Sequence, residues 1–415
     1  MRVLIVAPHI TNESHSQFLK NLTGLGRIIN DMAVYIGRKE SVDVFTLSAM
    51  TPTMQVDGFR VIGRSWLKVL CGFKLRLLLL FNKYKKRYGF KGKANIRILY
   101  YFISLGQVEK IINEYDIVHV HGCFSATYGM IGICKRHKIP MLITLHGLIS
   151  FGGEQTKDER MMRYERDLLR IAYKDNIPLS FISTGNMLTV CDFLGVENVP
   201  HFHVVTNGCD IQPKDIIYDI REKYDLKKND FVIAYVANIS ENKNQRQVVE
   251  AFSIMDKQTR SYIKVLFVGR DGEELKQMIQ NYGLQDSLIV CGGIPRNEVG
   301  DYYQASNATI LTSHSEGFGL SIIEGYVYGK PCLTFADMPA VKDLYHEKAM
   351  LTLPDRNNTT LAEGIEKFAG CQWDEKWIKD YSKQFSLDNM ANNYIKVYHA
   401  IIGNNNQRSK NNKKI

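Results

Sequence analysis

ATILTSHSEGFGLSIIEGYVYGKPCLTFA, Ala308 to Ala336, holds two short apolar runs with a helical stretch between them. The runs ATILTS (308–313) and PCLTFA (331–336) are apolar on both faces, the pattern of strands buried inside a parallel sheet. Between them, the glycine-bearing turn Glu316-Gly317-Phe318-Gly319 opens a helix predicted to run to about Tyr328, where Gly329, Lys330 and Pro331 stop it. Strand, crossover helix and strand make a parallel βαβ unit.

The same alternation fills the rest of the chain. Toward the N-terminus the β-type runs are RVLIVA (2–7), VDVFTL (42–47), DIVHVH (116–121), MLITL (141–145), LSFIS (179–183) and FHVVT (202–206). A second series adds FVIAYVA (231–237), IKVLFVG (263–269) and SLIVCG (287–292) to the two runs above. Helical patterns separate them, so the expected fold is α/β, with two doubly wound parallel-sheet domains joined by the polar stretch near 207–228. The predicted boundaries are 1–210 and 211–385, followed by a helix over 386–402 and a disordered basic tail over 403–415. Ligands of open α/β sheets sit beyond the carboxyl ends of the strands, so a substrate cleft facing both domains is expected.

A chain of 415 residues is too long for one domain, and 45% apolar with 23% charged residues excludes disordered, collagenous and coiled-coil classes. The most hydrophobic stretch contains only Leu77–Phe81 as an unbroken apolar run, far below the roughly 18 residues of a spanning helix. The N-terminal MRVLIVAPHI reads as a first strand, which predicts a cytoplasmic protein. Eight scattered cysteines without a CxxC pair predict buried thiols in a reducing compartment. The net charge of +10 is local: twelve of the 53 basic residues and none of the 43 acidic ones fall between Asp57 and Glu109. The positive charge therefore describes one surface.

Glu316 and Glu324 are eight residues apart on a predicted helix start, where free backbone N–H groups and the helix dipole suit a phosphate or a developing anion. Read as one helix, eight residues turn about 800°, which sets Glu324 two turns below Glu316. The bland alternative is a pair of solvated carboxylates. The E-x7-E arrangement, with EGFGL and GKP around it, is similar to the retaining GT-B glycosyltransferases of the GT4 type (glycosyl transferases group 1). Further blocks resemble the family in the family's order: GLG (24–26), DIVHVHG (116–122), IPMLITLHG (139–147), VVTNGCD (204–210) and SENKNQ (240–245). FSLDNMANNYIKVYHAII resembles the closing helix that returns to the first domain.

The resemblance implies a role for each matching residue. Glu316 would meet the donor sugar's hydroxyls, Glu324 the ribose hydroxyls, and Lys243 the diphosphate. The N–H groups of Phe318, Gly319 and Leu320 would hold that diphosphate too, and His146 of the HG block would face the sugar. Gly24 and Gly26 would let backbone approach the donor or acceptor, and Gly293 in CGGIP would border the nucleobase. The family's arginine in a GR pair corresponds here to Asn238, so the cationic clamp is one charge poorer, or Arg246 or Arg296 fills in. His121 and Asn207 are the candidates for contact with acceptor or substrate. No metal and no cofactor are expected; the substrate would be a UDP-, GDP- or ADP-sugar.

Trp66, Leu70, Phe73, Leu77, Leu80, Phe81 and Tyr84 fall on one side of a helical wheel, with Lys68, Lys74, Arg76 and Lys83 around them. Such a basic amphipathic stretch over 66–97 suits an anionic membrane surface, and a core-facing stripe with a solvated basic face is the alternative. No nucleic-acid-binding motif accompanies the charge. The expected protein is a retaining glycosyltransferase of bacterial surface polysaccharide synthesis, lipopolysaccharide or capsule, using a glycan or polyprenyl-diphosphate-linked acceptor. It would be peripheral on the inner face of the plasma membrane. A GT-B epimerase or phosphorylase and a non-catalytic carbohydrate- or membrane-binding module are the alternatives.

Overall fold

The computed structural model describes residues 1–19, 23–47, 50–151, 158–213 and 215–411. The chain forms two compact units. The first holds residues 1–182, 186–207 and the C-terminal residues from Leu387; the second holds 183–185 and 208–386. The boundaries predicted from the sequence lie at 210/211 and 385/386.

In the first unit, β1 (Arg2–Ala7), β2 (Ser41–Thr46), β3 (Met54–Val56), β4 (Phe59–Val61), β5 (Ile117–His121), β6 (Met141–Leu145), β7 (Leu179–Phe181) and β8 (Phe202–Val204) form one sheet in the order β3-β4-β2-β1-β5-β6-β7-β8. Its pairs are parallel except β3 with β4. Successive side chains of β1 point to opposite faces, so Val3, Ile5 and Ala7 join one core and Leu4 and Val6 the other. The first core is closed by helix Gly24–Gly37 and the C-terminal helix Leu387–Asn411, through Ile29, Met32, Tyr394 and Tyr398. The other is closed by helices Gly92–Ile111, Ser125–His137 and Glu159–Lys174. Coverage on both faces is why these strands read as unbroken apolar runs.

The second unit is a six-stranded parallel sheet of β9 (Phe231–Val236), β10 (Ile263–Val268), β11 (Leu288–Gly292), β12 (Ala308–Leu311), β13 (Cys332–Phe335) and β14 (Met350–Leu353), ordered β11-β10-β9-β12-β13-β14. The strand order reverses between β9 and β12. The loops after these two strands therefore lie side by side at the carboxyl edge, where open sheets bind ligands.

Three strands are not among those predicted from the sequence. β3 and β4 have three residues each and turn on Asp57-Gly58, with Gly58 at φ +86°; an Asp-Gly pair between short runs was the available signal. β14 also went unassigned. The last helix continues through Gly403 to Asn411, over the first part of the tail predicted to be disordered; residues 412–415 lie outside the described residues.

Candidate functional site

Two loops of the second unit are stapled together. Asn242, in the loop after β9, accepts at its carbonyl from the His314 N–H (2.8 Å). Its side chain accepts from the Ser315 N–H (3.1 Å) and donates to the Ser315 carbonyl (3.0 Å). Below them, the buried Tyr235 hydroxyl of β9 donates to the Lys243 carbonyl and accepts from the Thr312 N–H (3.1 Å). Thr312 Oγ1 donates to the Asn244 carbonyl (2.9 Å). This frame sets the Lys243 ammonium directly on Glu316 Oε1, which also accepts from Ser313 Oγ (2.9 Å). The Lys243 and Glu316 side chains are 26% and 12% exposed, so the pair is screened by protein but open at one side.

The helix starts at Leu320 and ends at Val327, with Gly319 as its N-cap at φ +82°. Glu316 therefore lies in the preceding loop, and the two-turn spacing expected between it and Glu324 is corrected: Glu324 is one turn into the helix. Phe318 is buried against Phe385 (6.3 Å between ring centroids). The backbone N–H groups of Phe318, Gly319 and Leu320 have no acceptor among the described residues, as a helix start requires. Glu324 Oε2 accepts from the buried Tyr303 hydroxyl (3.1 Å), which also reaches the Ser321 carbonyl (3.2 Å). Asn238 is exposed, and its Oδ1 accepts from the Arg270 N–H (3.3 Å). A Cβ on Gly293 would meet Arg270 Cγ at 2.6 Å, so glycine is needed there for the arginine stem. Arg246 is 73% exposed and faces Glu250, whereas Arg296 and Glu324 both act on the buried Cys209 thiol, with opposite sign.

In the first unit, the expected residues gather at the carboxyl ends of β5 and β6. His121 Nδ1 and His146 Nε2 are 2.8 Å apart. His121 is fully buried and is thus corrected from a cleft-lining residue to a partner of His146, which is half-buried. His119 spends both ring nitrogens on Tyr398 (2.6 Å) and Thr144 (2.7 Å). Burial drives the imidazoles toward the neutral form, with His146 pushed down to about 4. Gly24 and Gly26 lie within the first turn of their helix. Gly26 is a packing glycine, because a Cβ would meet Thr11 Oγ1 at 2.4 Å. Asn207 is buried, and its Oδ1 has no donor among the described residues.

The basic segment is three helices: Trp66–Cys71, Leu75–Tyr88 and Gly92–Ile111. The expected apolar stripe divides. Leu77, Phe81 and Tyr84 are core residues, Tyr84 lying edge-on to Tyr164 and tilted on Phe102. Instead Leu67, Leu70, Phe73, Leu75 and Leu79 are exposed, and Leu75 and Leu79 share a helix face with Lys83 and Lys86. Four of the segment's five arginines are engaged by the protein: Arg60 by Asp43, Arg76 by Glu109, Arg87 by Asp167, and the buried Arg64 by the Thr46 carbonyl. Lys83, Lys85, Lys86, Lys91 and Lys93 are exposed and form no ion pair among the described residues. Among those residues no helix is long and apolar enough to cross a membrane.

Tyr303, Ser313, Asn242 and Tyr235 were not singled out from the sequence. Each acts by holding a backbone group or a carboxylate, and only the folded loops reveal that.

The family model described as Glycosyl transferases group 1 matches residues 217–385, and that of Glycosyltransferase Family 4 matches residues 23–212. The UDP-Gal:alpha-D-GlcNAc-diphosphoundecaprenol alpha-1,3-galactosyltransferase of Escherichia coli is 27% identical over 250 residues, 58% of this chain and 63% of that protein. The alpha-monoglucosyldiacylglycerol synthase of Streptococcus pneumoniae is 26% identical over 288 residues, 61% of this chain and 63% of that protein. The chain thus spans less than two thirds of the length of these relatives. The crystal structure of a glycosyltransferase from Rickettsia africae ESF-5 superposes with a TM-score of 0.69 at 17% identity, covering 97% of this chain and 98% of that one, a likeness of fold.

Proposed function

Because the chain belongs to the glycosyl transferases group 1 family, of GT4 type and GT-B fold, we propose that it is a retaining glycosyltransferase that moves a sugar from a nucleoside diphosphate to a hydroxyl of a lipid-linked glycan. The observation that carries this reading is the Lys243–Glu316 pair, held beside three free N–H groups at the Gly319 helix start. A leaving diphosphate gains negative charge in the transition state, and a fixed ammonium with preorganised N–H donors stabilises it. Donor phosphate would draw Lys243 away from Glu316 and free the carboxylate to accept sugar hydroxyls. Glu324, already oriented by Tyr303, would take the ribose hydroxyls. The bond from C1 to the diphosphate oxygen breaks while the acceptor oxygen bonds C1 on the same face, and the acceptor's proton passes to the departing phosphate.

The donor is a UDP-, GDP- or ADP-sugar; the UDP-galactose use named for the Escherichia coli relative favours UDP. The acceptors named for the two relatives, a diphosphoundecaprenol glycan and a glycolipid, favour a lipid acceptor met at a membrane and a role in surface polysaccharide or glycolipid synthesis. The exposed Leu75, Leu79, Lys83 and Lys86 face, with Leu67 and Leu70, suits peripheral attachment to anionic lipid from the cytoplasmic side. A thermal-shift screen of the full chain against UDP-, GDP- and ADP-sugars tests the donor. A ligand at 100 times its Kd adds about 2.7 kcal/mol of stability, so one base class stands out. No shift with any of them, together with undiminished sugar transfer by Glu316→Gln and Lys243→Ala, overturns the reading.

A further inference from the structure

We propose that His121 is a positioning residue that fixes His146 as an imidazole carrying its proton on Nδ1, so that His146 gives a hydrogen bond to a substrate oxygen and takes no proton from it. The argument is a count of protons and partners. Two neutral rings share one hydrogen bond, His121 Nδ1 to His146 Nε2 at 2.8 Å. The two remaining ring nitrogens, His121 Nε2 and His146 Nδ1, are buried and have no partner among the described residues. Only two assignments of the protons are consistent with the bond. If His121 donates, its bare Nε2 is an unpaired acceptor and His146 Nδ1 carries the unpaired N–H. If His146 donates, its bare Nδ1 is the unpaired acceptor and the unpaired N–H falls on His121 Nε2.

The second assignment places that N–H where no described residue accepts it. His121 is fully buried, and its ring lies 4.0 Å from that of His119, between centroids. His119 has no free nitrogen to offer, since Tyr398 and Thr144 occupy both. Both assignments leave one unpaired N–H, and they differ in whether it lies on the fully buried ring of His121 or on the half-buried His146. The first assignment puts the unpaired N–H on His146, the residue just past the carboxyl end of β6, which is the edge where a parallel sheet meets its ligands. Burial keeps both rings neutral at pH 7, which the count requires. The loop beyond His146 is held from outside: the fully buried Glu165 accepts from the N–H groups of Ile149 (3.0 Å) and Ser150 (2.6 Å). The ring is thus fixed in both position and tautomer, as a metal ligand is by its outer hydrogen bond.

The tautomer needs no substrate to be tested; the substrate oxygen rests on the proposed function. Nitrogen-15 NMR of the full chain, histidine-labelled, with His146→Gln to assign the signals, reads the tautomer directly. The wild type is expected to show a protonated-type Nδ1 and an unprotonated-type Nε2 on His146. His121→Asn, whose amide occupies the place of Nδ1 and can donate, is expected to keep that pattern and stay within about threefold of wild-type kcat/KM. His121→Phe is expected to release His146 to the Nε2–H tautomer and to lower kcat/KM by about tenfold, the size of one hydrogen bond. An Nε2–H His146 in the wild type, or a tautomer unchanged in His121→Phe, overturns the proposal. Should His121→Phe not fold, the wild-type and His121→Asn spectra decide. A protein with no transferase activity but an Nδ1–H His146 refutes the proposed function and leaves this assignment standing.

Discussion

The ammonium of Lys243 lies directly on the carboxylate of Glu316, and the two loops that bring them together are bound to each other by Asn242. A cation and an anion in contact at a ligand edge neutralise each other until a more highly charged group arrives. Lys243→Ala and Glu316→Gln are each expected to lower kcat by at least about a hundredfold, and the double variant to be little worse than either alone. Initial-rate assays on the four proteins check this; fully additive losses would show that the two residues act apart.

Tyr303→Phe removes the hydroxyl that orients Glu324 at 3.1 Å. One hydrogen bond is worth about 1 kcal/mol, so the donor KM is expected to rise about fivefold with kcat little changed. Donor titration separates the two parameters.

Gly319→Ala strains the helix start. The residue sits at φ +82°, and its Cβ would meet Ile322 Cδ1 at 3.0 Å. A left-handed alanine costs about 1–2 kcal/mol, and relief of that strain moves the N–H groups that would face the diphosphate. A lower Tm and weaker nucleotide-sugar binding by calorimetry are expected together.

Replacing Leu75 and Leu79 by serine is expected to abolish binding to anionic vesicles and to leave Tm unchanged, because both side chains are exposed. Phe81→Ala is expected to do the opposite. That ring is 4% exposed within the aromatic cluster, and its loss costs about 3–5 kcal/mol. Vesicle co-sedimentation beside thermal unfolding distinguishes the faces.

Asp43 is buried in the first sheet and accepts from Arg60 (2.7 Å to Nε) and the Tyr115 hydroxyl (2.7 Å). Burial alone would raise its carboxyl; the Arg60 and Tyr115 hydrogen bonds, with the charges of Arg60 and Arg2, outweigh it and hold the group below the ordinary value of 3.8. A depressed carboxylate stabilises the fold above its unfolded pKa, and that contribution is lost as pH falls through the folded one. Asp43→Ala is expected to cost about 3 kcal/mol at neutral pH and to lessen the acid sensitivity below about pH 4, read from urea unfolding at several pH values.

Much of the fold was legible because parallel strands buried on both faces leave unbroken apolar runs, as in FVIAYVA and IKVLFVG. β3 and β4 were not, since strands of three residues with Gln55 and Arg60 exposed carry no such run. Motif spacing singles out Lys243, Glu316, Glu324 and His146, and the fold brings the first two into contact. The spacing did not show that Glu316 precedes the helix, because a left-handed glycine breaks the helical count at a place the spacing cannot mark. The wheel from Trp66 to Tyr84 failed for a related reason: the stretch is two helices, so positions computed on one axis mix core and surface. The residues that hold the site, Asn242, Tyr235 and Tyr303, are ordinary polar or aromatic residues until distant loops meet.

The helix Leu387–Asn411 supplies Tyr394 and Tyr398 to a core begun at Arg2, and His119 meets Tyr398 across 279 positions of chain. During synthesis, the first sheet therefore waits with one apolar flank uncovered until the second unit has left the ribosome. A nascent chain stalled before residue 387 would be a ready client for chaperones, and a stop codon there would harm the lobe farthest from it in sequence.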